Sequence, residues 1–355
     1  MTKTVLITGG AGFVGSSLSI QLKKFYPNYK IIALDNLKRR GSELNLTRLK
    51  QSGVEFFHGD IRNPEDFDML PKIDVIIEAS AEPSVLAGIG GTPDYVVNTN
   101  LVGTINCLNF ALKNQSDFIF LSTSRVYPIE NIERIEFEET ETRFNISAHQ
   151  NLRGVSEKGI DEKFSLDGYR SLYGATKLCS ELLIQEYNKF YGLKTIINRC
   201  GVLTGAWQMG KVDQGVVVLW LARHFWQQDL GYFGYGGTGK QVRDILHIND
   251  LFRLIDYQIH HIDKLNNEIF NVGGGLETSV SLCELTAHCR KITGNEIFIK
   301  SVPEHRQADI RIYVTDNSKI SKATNWKPEI GVEEILADIY NWIKNNEGSL
   351  QNILR

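Results

Sequence analysis

The sequence predicts an α/β fold, a doubly wound parallel sheet followed by a smaller mixed α/β domain. The first 200 residues alternate short apolar runs with amphipathic stretches such as SSLSIQLKKFY (16–26) and LVGTINCLNFALKN (101–114). The runs are rich in Val, Ile and Phe and hardly alternate with polar residues, as is typical of parallel strands buried on both faces. Strand alternating with helix is the pattern of a doubly wound sheet. The predicted strands are TVLIT (4–8), KIIALD (30–35), VEFFHGD (54–60), DVIIEAS (74–80), FIFLST (118–123) and TIINRC (195–200).

The alternation of strand and helix is lost after residue 200, where glycines cluster in GYFGYGGTGK (231–240) and NVGGG (271–275). We therefore predict one domain over residues 1–200 and a second, smaller domain over 201–355. A part of the second stretch, about 245–275, is expected to return to the first domain. Ligands of such sheets bind outside the carboxyl ends of the strands.

Composition places this chain of 355 residues among ordinary globular proteins, with 42% hydrophobic and 23% charged residues. A formal net charge of −3 gives no basic footprint for nucleic acid. No apolar run reaches the ~18–20 residues that a membrane span needs, and the eight histidines form no ligand set for a metal. Five cysteines without a C-x-x-C pair fit reduced thiols. We expect a cytoplasmic protein that binds neither nucleic acid, nor membrane, nor metal.

The stretch TVLITGGAGFVGSSL opens the chain with a glycine-rich turn between the first strand and the first helix. Gly9, Gly12 and Gly15 supply a tight turn, a close approach of the backbone to a pyrophosphate, and tight packing of helix on strand. The pyrophosphate would then lie on the helix N-terminus. A strand before and a helix after the glycines are the context of a Rossmann-type dinucleotide-binding domain.

Asp35 ends the second strand, twenty residues after Gly15. A carboxylate there accepts hydrogen bonds from the ribose hydroxyls and repels a 2′-phosphate, which favours NAD over NADP. Two alternatives stay open: Asp35 as a simple turn former, and NADP held by Lys38 and Arg39. The residues predicted to contact the cofactor in this half are Gly9, Gly12, Phe13, Val14, Gly15, Asp35 and Asn36, with Asp60 and Ile61 placed to meet the adenine.

The motif YGATK places Tyr173 and Lys177 four residues apart on a helix that continues through LCSELLIQEYNKFYG. The two side chains therefore share one face, one turn apart. A free tyrosine is a poor base at neutral pH because its pKa is about 10. A nearby ammonium favours the phenolate and lowers that pKa toward the working range. We predict that Tyr173 exchanges a hydroxyl proton while hydride moves to or from nicotinamide.

The segment LSTSRVYP (121–128) places three hydroxyl groups at the end of the strand that precedes this helix. A hydroxyl there can hold a substrate oxygen beside Tyr173. With these motifs the chain resembles the extended short-chain dehydrogenase/reductase family, in particular its nucleotide-sugar epimerases and dehydratases, over nearly its whole length. The resemblance implies that Thr123 is the hydroxyl of the catalytic set and that Tyr173 is the acid/base. It also implies that Lys177 lowers the tyrosine pKa and binds the nicotinamide ribose.

Ser124 and Arg125 bear on the choice between reactions. The family's 4,6-dehydratases typically carry Asp-Glu directly after the threonine, to expel water. Elimination would lack its general acid and base here, whereas an epimerase needs neither. The resemblance therefore favours an epimerase, with Ser124 and Arg125 near the substrate. A surface position of Arg125 is the alternative.

Two later stretches are similar to the family's nucleotide-sugar contact regions. The resemblance implies that Arg243, in GGTGKQVRDILHINDL (236–251), clamps the substrate pyrophosphate, because a guanidinium matches phosphate in a bidentate way. It implies that Arg306 meets the phosphates and that Asp309 meets the nucleotide ribose. Each arginine could alternatively form a surface ion pair.

One subgroup fits best, the CDP-paratose 2-epimerases, also called CDP-tyvelose epimerases. The similar stretches are ETETRF (139–144), KVDQGVVVLW (211–220), GTGKQVRDILH (237–247) and FNVGG (270–274). Members invert C2 of a CDP-linked 3,6-dideoxyhexose with tightly held NAD. The resemblance also implies that four residues lie near the sugar or nucleotide, namely Gln208, Lys211, Asp213 and Gln214.

The chain departs from the family in EASAEPSV (78–85), where relatives usually begin with His and carry Gln. Glu78 and Glu82 stand at those two positions. The resemblance places this loop, with Ala79 and Ala81, beside the cofactor phosphates and the sugar. The two glutamates therefore leave the identity of the sugar open.

Other hypotheses remain at this stage. The chain could be a 4-epimerase or 4-ketoreductase on another nucleotide sugar, or a non-catalytic dinucleotide sensor. The long polar segment 129–165 could be a lid over the sugar or an exposed insert. The apolar surface of helices 101–114 and 172–190 favours a homodimer or homotetramer through a four-helix contact.

Overall fold

The computed structural model describes residues 2–211, 214–305 and 307–354. The strands are β1 Thr4–Thr8, β2 Lys30–Asp35, β3 Glu55–His58, β4 Val75–Glu78, β5 Asp117–Thr123, β6 Phe137–Glu139, β7 Phe144–Ile146, β8 Val155–Ser156, β9 Gly159–Ile160, β10 Thr195–Cys200, β11 Val202–Thr204, β12 Leu230–Phe233, β13 Val242–His247, β14 Glu268–Val272, β15 Ser279–Ser281, β16 Ile299–Val302 and β17 Ile312–Tyr313. The helices are α1 Phe13–Phe25, α2 Leu44–Gln51, α3 Asp94–Val97, α4 Gly103–Asn114, α5 Ile129–Glu133, α6 Leu172–Tyr191, α7 Val216–Phe225, α8 Ile248–His260, α9 Ile262–Leu265, α10 Leu282–Thr293, α11 Ser318–Thr324, α12 Val332–Asn345 and α13 Glu347–Leu354.

One sheet has seven strands in the order β14-β10-β5-β4-β1-β2-β3. The pairings from β3 through β2, β1 and β4 to β5 are parallel, and the central strands are buried along most of their length. This confirms the predicted doubly wound α/β fold. The register pairs Thr8 with Glu78 and Glu78 with Phe120, so the carboxyl ends of β1, β4 and β5 lie side by side. Ligand-binding residues are expected at this edge.

Helix α6 packs against β5 and α4, and its buried stripe includes Lys177, Glu181 and Ile184. The spacing of four and three residues keeps these side chains on one face of the helix. Between α3 and α4 the chain makes one π-helical turn, Asn98–Val102, which contains the buried Asn100. Such π-bulges interrupt the regular ladder and are frequent at functional sites.

A second sheet has four strands, in which β13 pairs with β11, β15 and β17. The segment 129–165, whose role the sequence left open, supplies α5 and the hairpins β6–β7 and β8–β9. Two ion pairs join this segment to residues near the four-stranded sheet, Lys240 to Glu139 at 2.8 Å and Arg143 to Glu284 at 3.3 Å. The segment is therefore folded and packed against this part of the protein.

The chain divides into two compact units whose limits differ from the predicted boundaries. The first unit comprises Met1–Val126, Leu172–Arg199 and Leu251–Phe270, and the second comprises Tyr127–Ser171, Cys200–Asp250 and Asn271–Arg355. Residues 127–171 were expected in the first domain but belong to the second unit, and the returning segment is 251–270. Among the described residues, no helix is both long and apolar enough to cross a membrane.

Candidate active site

The glycine-rich turn has the geometry of a pyrophosphate cradle. Gly9 has a φ of +64°, and a Cβ there would lie 2.8 Å from the carbonyl oxygen of Ala79. A Cβ on Gly15 would lie 2.2 Å from the carbonyl oxygen of Gly9, so neither position admits a side chain. Helix α1 begins at Phe13, directly after Gly12, and its first N–H groups have no partner within the helix. These backbone groups fit the diphosphate of a dinucleotide.

Asp35 lies at the end of β2 with its carboxylate turned toward the glycine-rich turn. It accepts hydrogen bonds from the N–H groups of Ala11, at 3.1 Å, and Leu37, at 2.7 Å. Burial raises the pKa of Asp35 while these hydrogen bonds lower it, and the net direction is upward. The adjacent Asn36 donates to Asp60 at 2.9 Å. The structure thus brings the predicted ribose acid and Asp60 into one connected group.

Asp60 and Ile61 follow β3, as predicted, but they differ in surroundings. Burial alone would raise the pKa of Asp60, but hydrogen bonds from Arg62 and Asn36 lower it to about 2. The side chain of Ile61 is buried in the core under α4, where a Cβ on Gly103 would meet its Cδ1 at 2.4 Å. Of the two predicted residues, Asp60 is therefore the one with a partly exposed side chain.

Thr123, Tyr173 and Lys177 lie on two packed elements, the end of β5 and the start of α6. Thr123 is buried, and its hydroxyl accepts the N–H of Arg125 at 3.2 Å. Tyr173 is half-buried, whereas Lys177 is only 1% exposed and places its Nζ 3.8 Å from the centre of the Phe120 ring. A buried ammonium one turn from a phenol is the arrangement that favours the phenolate.

Beneath this set, β5, α6 and β10 are joined by a buried ion pair. Arg199 donates to both carboxylate oxygens of Glu181, the shortest contact being 2.7 Å, and the side chains are 4% and 0% exposed. The hydroxyl of Ser122 donates to the same carboxylate at 2.5 Å. Ser122, the first of the three hydroxyl residues, is thus structural, and its bond helps to fix α6 on the sheet. Sequence reasoning missed this pair, although Glu181 stands one turn after Lys177 on the predicted helix.

Glu78, the last residue of β4, is fully buried on the same side of the first unit. Its Oε1 accepts a hydrogen bond from the hydroxyl of Thr104 at 2.9 Å. Burial raises the pKa of Glu78 from its ordinary value of 4.5 to about 7, although Lys177 and Thr104 act in the opposite direction. The folded protein therefore keeps this proton at pH values where the unfolded chain has lost it. The stability that this group contributes at low pH is lost as the pH rises from 4.5 to 7.

The loop after β4 is held by the π-helical turn. The side chain of Asn100 accepts the N–H of Glu82 at 2.7 Å and donates to the Glu82 carbonyl at 3.1 Å. It also donates to the hydroxyl of Thr176, between Tyr173 and Lys177. Asn100 thereby ties the loop that carries Ala79 and Ala81 to the helix of the predicted acid/base. Only its place after the loop, in NTNLVGT, hinted at this role.

The predicted substrate residues of the second unit already form hydrogen bonds or ion pairs within the protein. Arg243 forms an ion pair with Asp309 at 2.9 Å and also donates to the Ile310 carbonyl. The amide of Gln208 accepts a hydrogen bond from the hydroxyl of Thr204 and donates to the carbonyl of Leu203, both on β11. The predictions for Asp213 and Arg306 lie outside the described residues. Nucleotide contacts by Arg243, Asp309 and Gln208 stay predictions.

Comparison with known proteins gives a family and full-length relatives. Residues 5–273 match the NAD dependent epimerase/dehydratase family. The chain is 32% identical to CDP-paratose 2-epimerase of Salmonella typhi, over 95% of this chain and 98% of that protein. It is 27% identical to UDP-glucuronate 4-epimerase of Thermodesulfobacterium geofontis, over 98% of each chain. Among solved structures, dTDP-glucose 4,6-dehydratase of Streptomyces venezuelae with bound NAD matches with a TM-score of 0.79 and 26% identity, over 99% of each chain.

Proposed function

Because the chain belongs to the NAD dependent epimerase/dehydratase family, we propose that it is an NAD-dependent nucleotide-sugar epimerase that converts CDP-paratose to CDP-tyvelose. The observation that carries the proposal is the placement of Tyr173 and the buried Lys177 on α6, beside Thr123 at the end of β5. The glycine-rich turn follows β1 and lies at the same end of the sheet, where the carboxyl ends of the strands meet. The proposal therefore assigns both the cofactor cradle and the acid/base to the first unit.

The proposed reaction is an oxidation at C2 followed by reduction from the opposite face. Bound NAD supplies the acceptor and donor of hydride. Thr123 holds the C2 oxygen by a hydrogen bond while the phenolate oxygen of Tyr173 takes the C2 hydroxyl proton. The ammonium of Lys177 favours the phenolate beforehand. After the ketone has presented its other face, Tyr173 returns the proton to the oxygen. Tyr173 therefore ends each turnover in the protonation state in which it began.

The residues after Thr123 support epimerisation over loss of water. They form a 3₁₀ turn, Ser124–Val126, in which Ser124 is buried and Arg125 is half-buried. Elimination requires an acid to protonate the leaving hydroxyl and a base to remove a proton. Neither Ser124 nor Arg125 supplies a carboxylate for these steps.

The relative from Salmonella typhi supports a CDP-linked sugar, since it aligns over nearly the whole chain. In the second unit, we propose that Arg243 and Asp309 contact the nucleotide. Arg243 would exchange its ion pair with Asp309 for the substrate phosphate, and the released carboxylate would be free to accept ribose hydroxyls. Because the five cysteines are free thiols, we propose the reducing cytoplasm as the place of this reaction.

The proposal predicts conversion without added cofactor. Purified protein is incubated with CDP-paratose deuterated at C2 and followed by proton NMR. We expect CDP-tyvelose that keeps deuterium at C2, because a hydride held on tightly bound NAD would not exchange with solvent before it returns to the sugar. Loss of the deuterium to solvent would contradict this mechanism.

A 4-epimerase is the second candidate, since UDP-glucuronate 4-epimerase matches over the same length. The discriminating experiment repeats the incubation with UDP-glucuronate and UDP-glucose labelled at C4. Turnover of these sugars, with none of CDP-paratose, would replace the first proposal by the second. No turnover of any nucleotide sugar would favour a non-catalytic dinucleotide sensor.

We further propose a homodimer, alone or within a homotetramer, through α4 and α6. Leu182, Phe190 and Tyr191 on α6 are 56%, 74% and 61% exposed, which is unusual for large apolar side chains of one helix. We expect light scattering at micromolar concentration to give twice the chain mass or more. Leu182→Glu is expected to give monomers, because it would bury a charge in the contact. A monomeric wild-type protein would contradict the proposal.

A further inference from the structure

Glu78 is a buried acid near the proposed catalytic residues. It is the last residue of β4, at the carboxyl end of the strands where the glycine-rich turn and Thr123 also lie, and none of its surface is exposed. Thr104 satisfies Oε1, whereas Oε2 is buried and has no hydrogen-bond partner among the described residues. A buried carboxylate with an unsatisfied oxygen costs free energy, so an opposing gain is expected.

Among the described residues, the counter-charge that acts on Glu78 is the ammonium of Lys177. Lys177 lies on α6, is itself buried, and places its Nζ 3.8 Å from the centre of the ring of Phe120, the strand neighbour of Glu78. Its charge acts to lower the pKa of Glu78. Cys107 on α4 also faces Glu78, but burial and the carboxylate raise its pKa well above the usual range, so it stays a neutral thiol. The strand neighbours Thr8 and Phe120 bring no charge.

We infer that Glu78 is a positioning residue, whose carboxylate attracts the ammonium of Lys177 without bonding it and so sets how strongly that ammonium acts on Tyr173. This inference rests on the proposed acid/base role of Tyr173 and deepens it. Glu78 touches neither cofactor nor substrate in this role and acts only through Lys177.

Burial raises the pKa of Glu78 to about 7, so the charge of this group changes near neutral pH. Below this pH the group is neutral, and the ammonium acts on Tyr173 at full strength. Above it, the carboxylate draws the ammonium toward β4 and cancels part of its field at the phenol. Removal of the carboxylate should therefore make Tyr173 more acidic and Lys177 easier to deprotonate.

The test titrates Tyr173 directly in the holoenzyme with bound NAD. Tyrosine labelled with ¹³C at Cζ is introduced into wild type, Glu78→Gln and Glu78→His, and the Tyr173 signal is assigned by its absence in Tyr173→Phe. We expect the pKa of Tyr173 to move down by about one pH unit in both Glu78 variants. Both limbs of the pH profile of kcat should move to lower pH with it.

Cys107→Ala is the matched control, because it removes packing next to Glu78 without changing charge. It should leave the Tyr173 titration where it is in wild type. Glu78→His carries the residue usual in relatives and keeps the test valid if Glu78→Gln does not fold. A Tyr173 titration that is the same in wild type and both Glu78 variants would overturn the inference and leave the proposed function standing. A wild-type Tyr173 that titrates like a free tyrosine would overturn the proposed acid/base itself.

Discussion

Tyr173→Phe is expected to lower kcat by about 10²–10⁴-fold, the usual contribution of a positioned acid/base. The change removes only the hydroxyl that we propose exchanges the proton, and phenylalanine retains the ring on α6. Binding of NAD should persist, because the glycine-rich turn and Asp35 lie on other elements. The measurement is the initial rate with the nucleotide sugar that the wild type converts, together with NAD released on denaturation.

Tyr187→Phe is the matched control, a hydroxyl removed from the same helix. Tyr187 donates to Asn109 on α4 at 2.6 Å and lies more than three turns from Tyr173, so its kcat should equal that of wild type. A Tyr173→Phe enzyme within tenfold of wild-type kcat would show that another group exchanges the proton. Loss of NAD from this variant would indicate a structural role instead.

Arg199→Ala is expected to destabilise the protein by about 3–5 kcal/mol, the usual cost of leaving one partner of a buried ion pair uncompensated. Glu181 is completely buried, and the bonds from Arg199 and Ser122 satisfy its carboxylate. Without the guanidinium, the fold must bury a bare charge or protonate it. The free energy of unfolding in urea measures the loss.

Two comparisons distinguish the loss of the buried ion pair from the loss of the arginine side chain itself. Lys291→Ala removes an ion pair with Glu333 in which both side chains are largely exposed, and it should leave the unfolding free energy almost unchanged. Replacing Glu181 and Arg199 together by Leu should cost less than Arg199→Ala alone, because no unpaired charge remains. Equal costs for the single and double replacements would show that Glu181 is hydrated or protonated in the fold.

Local patterns were enough to predict the sheet of the first unit and the core of its site. β1, β2 and β10 begin and end at the residues predicted from their apolar runs. Burial on both faces makes most positions of a strand apolar, so its pattern can be recognised without knowing its neighbours. The glycine spacing and the separation of Tyr173 from Lys177 are likewise local, since one turn or one helical repeat sets each of them.

Contacts between distant segments decided the rest, and no local pattern encodes them. Residues 127–171 directly precede α6 in sequence, yet their hairpins form hydrogen bonds with other segments of the second unit. Glu78 and Lys177 are 99 positions apart, and their attraction exists only because β4 and α6 bury them on the same side of the sheet. Arg243 and Asp309 pair across 66 positions in the same way. Burial turns such encounters into strong electrostatic coupling, because the protein interior screens charge far less than water does.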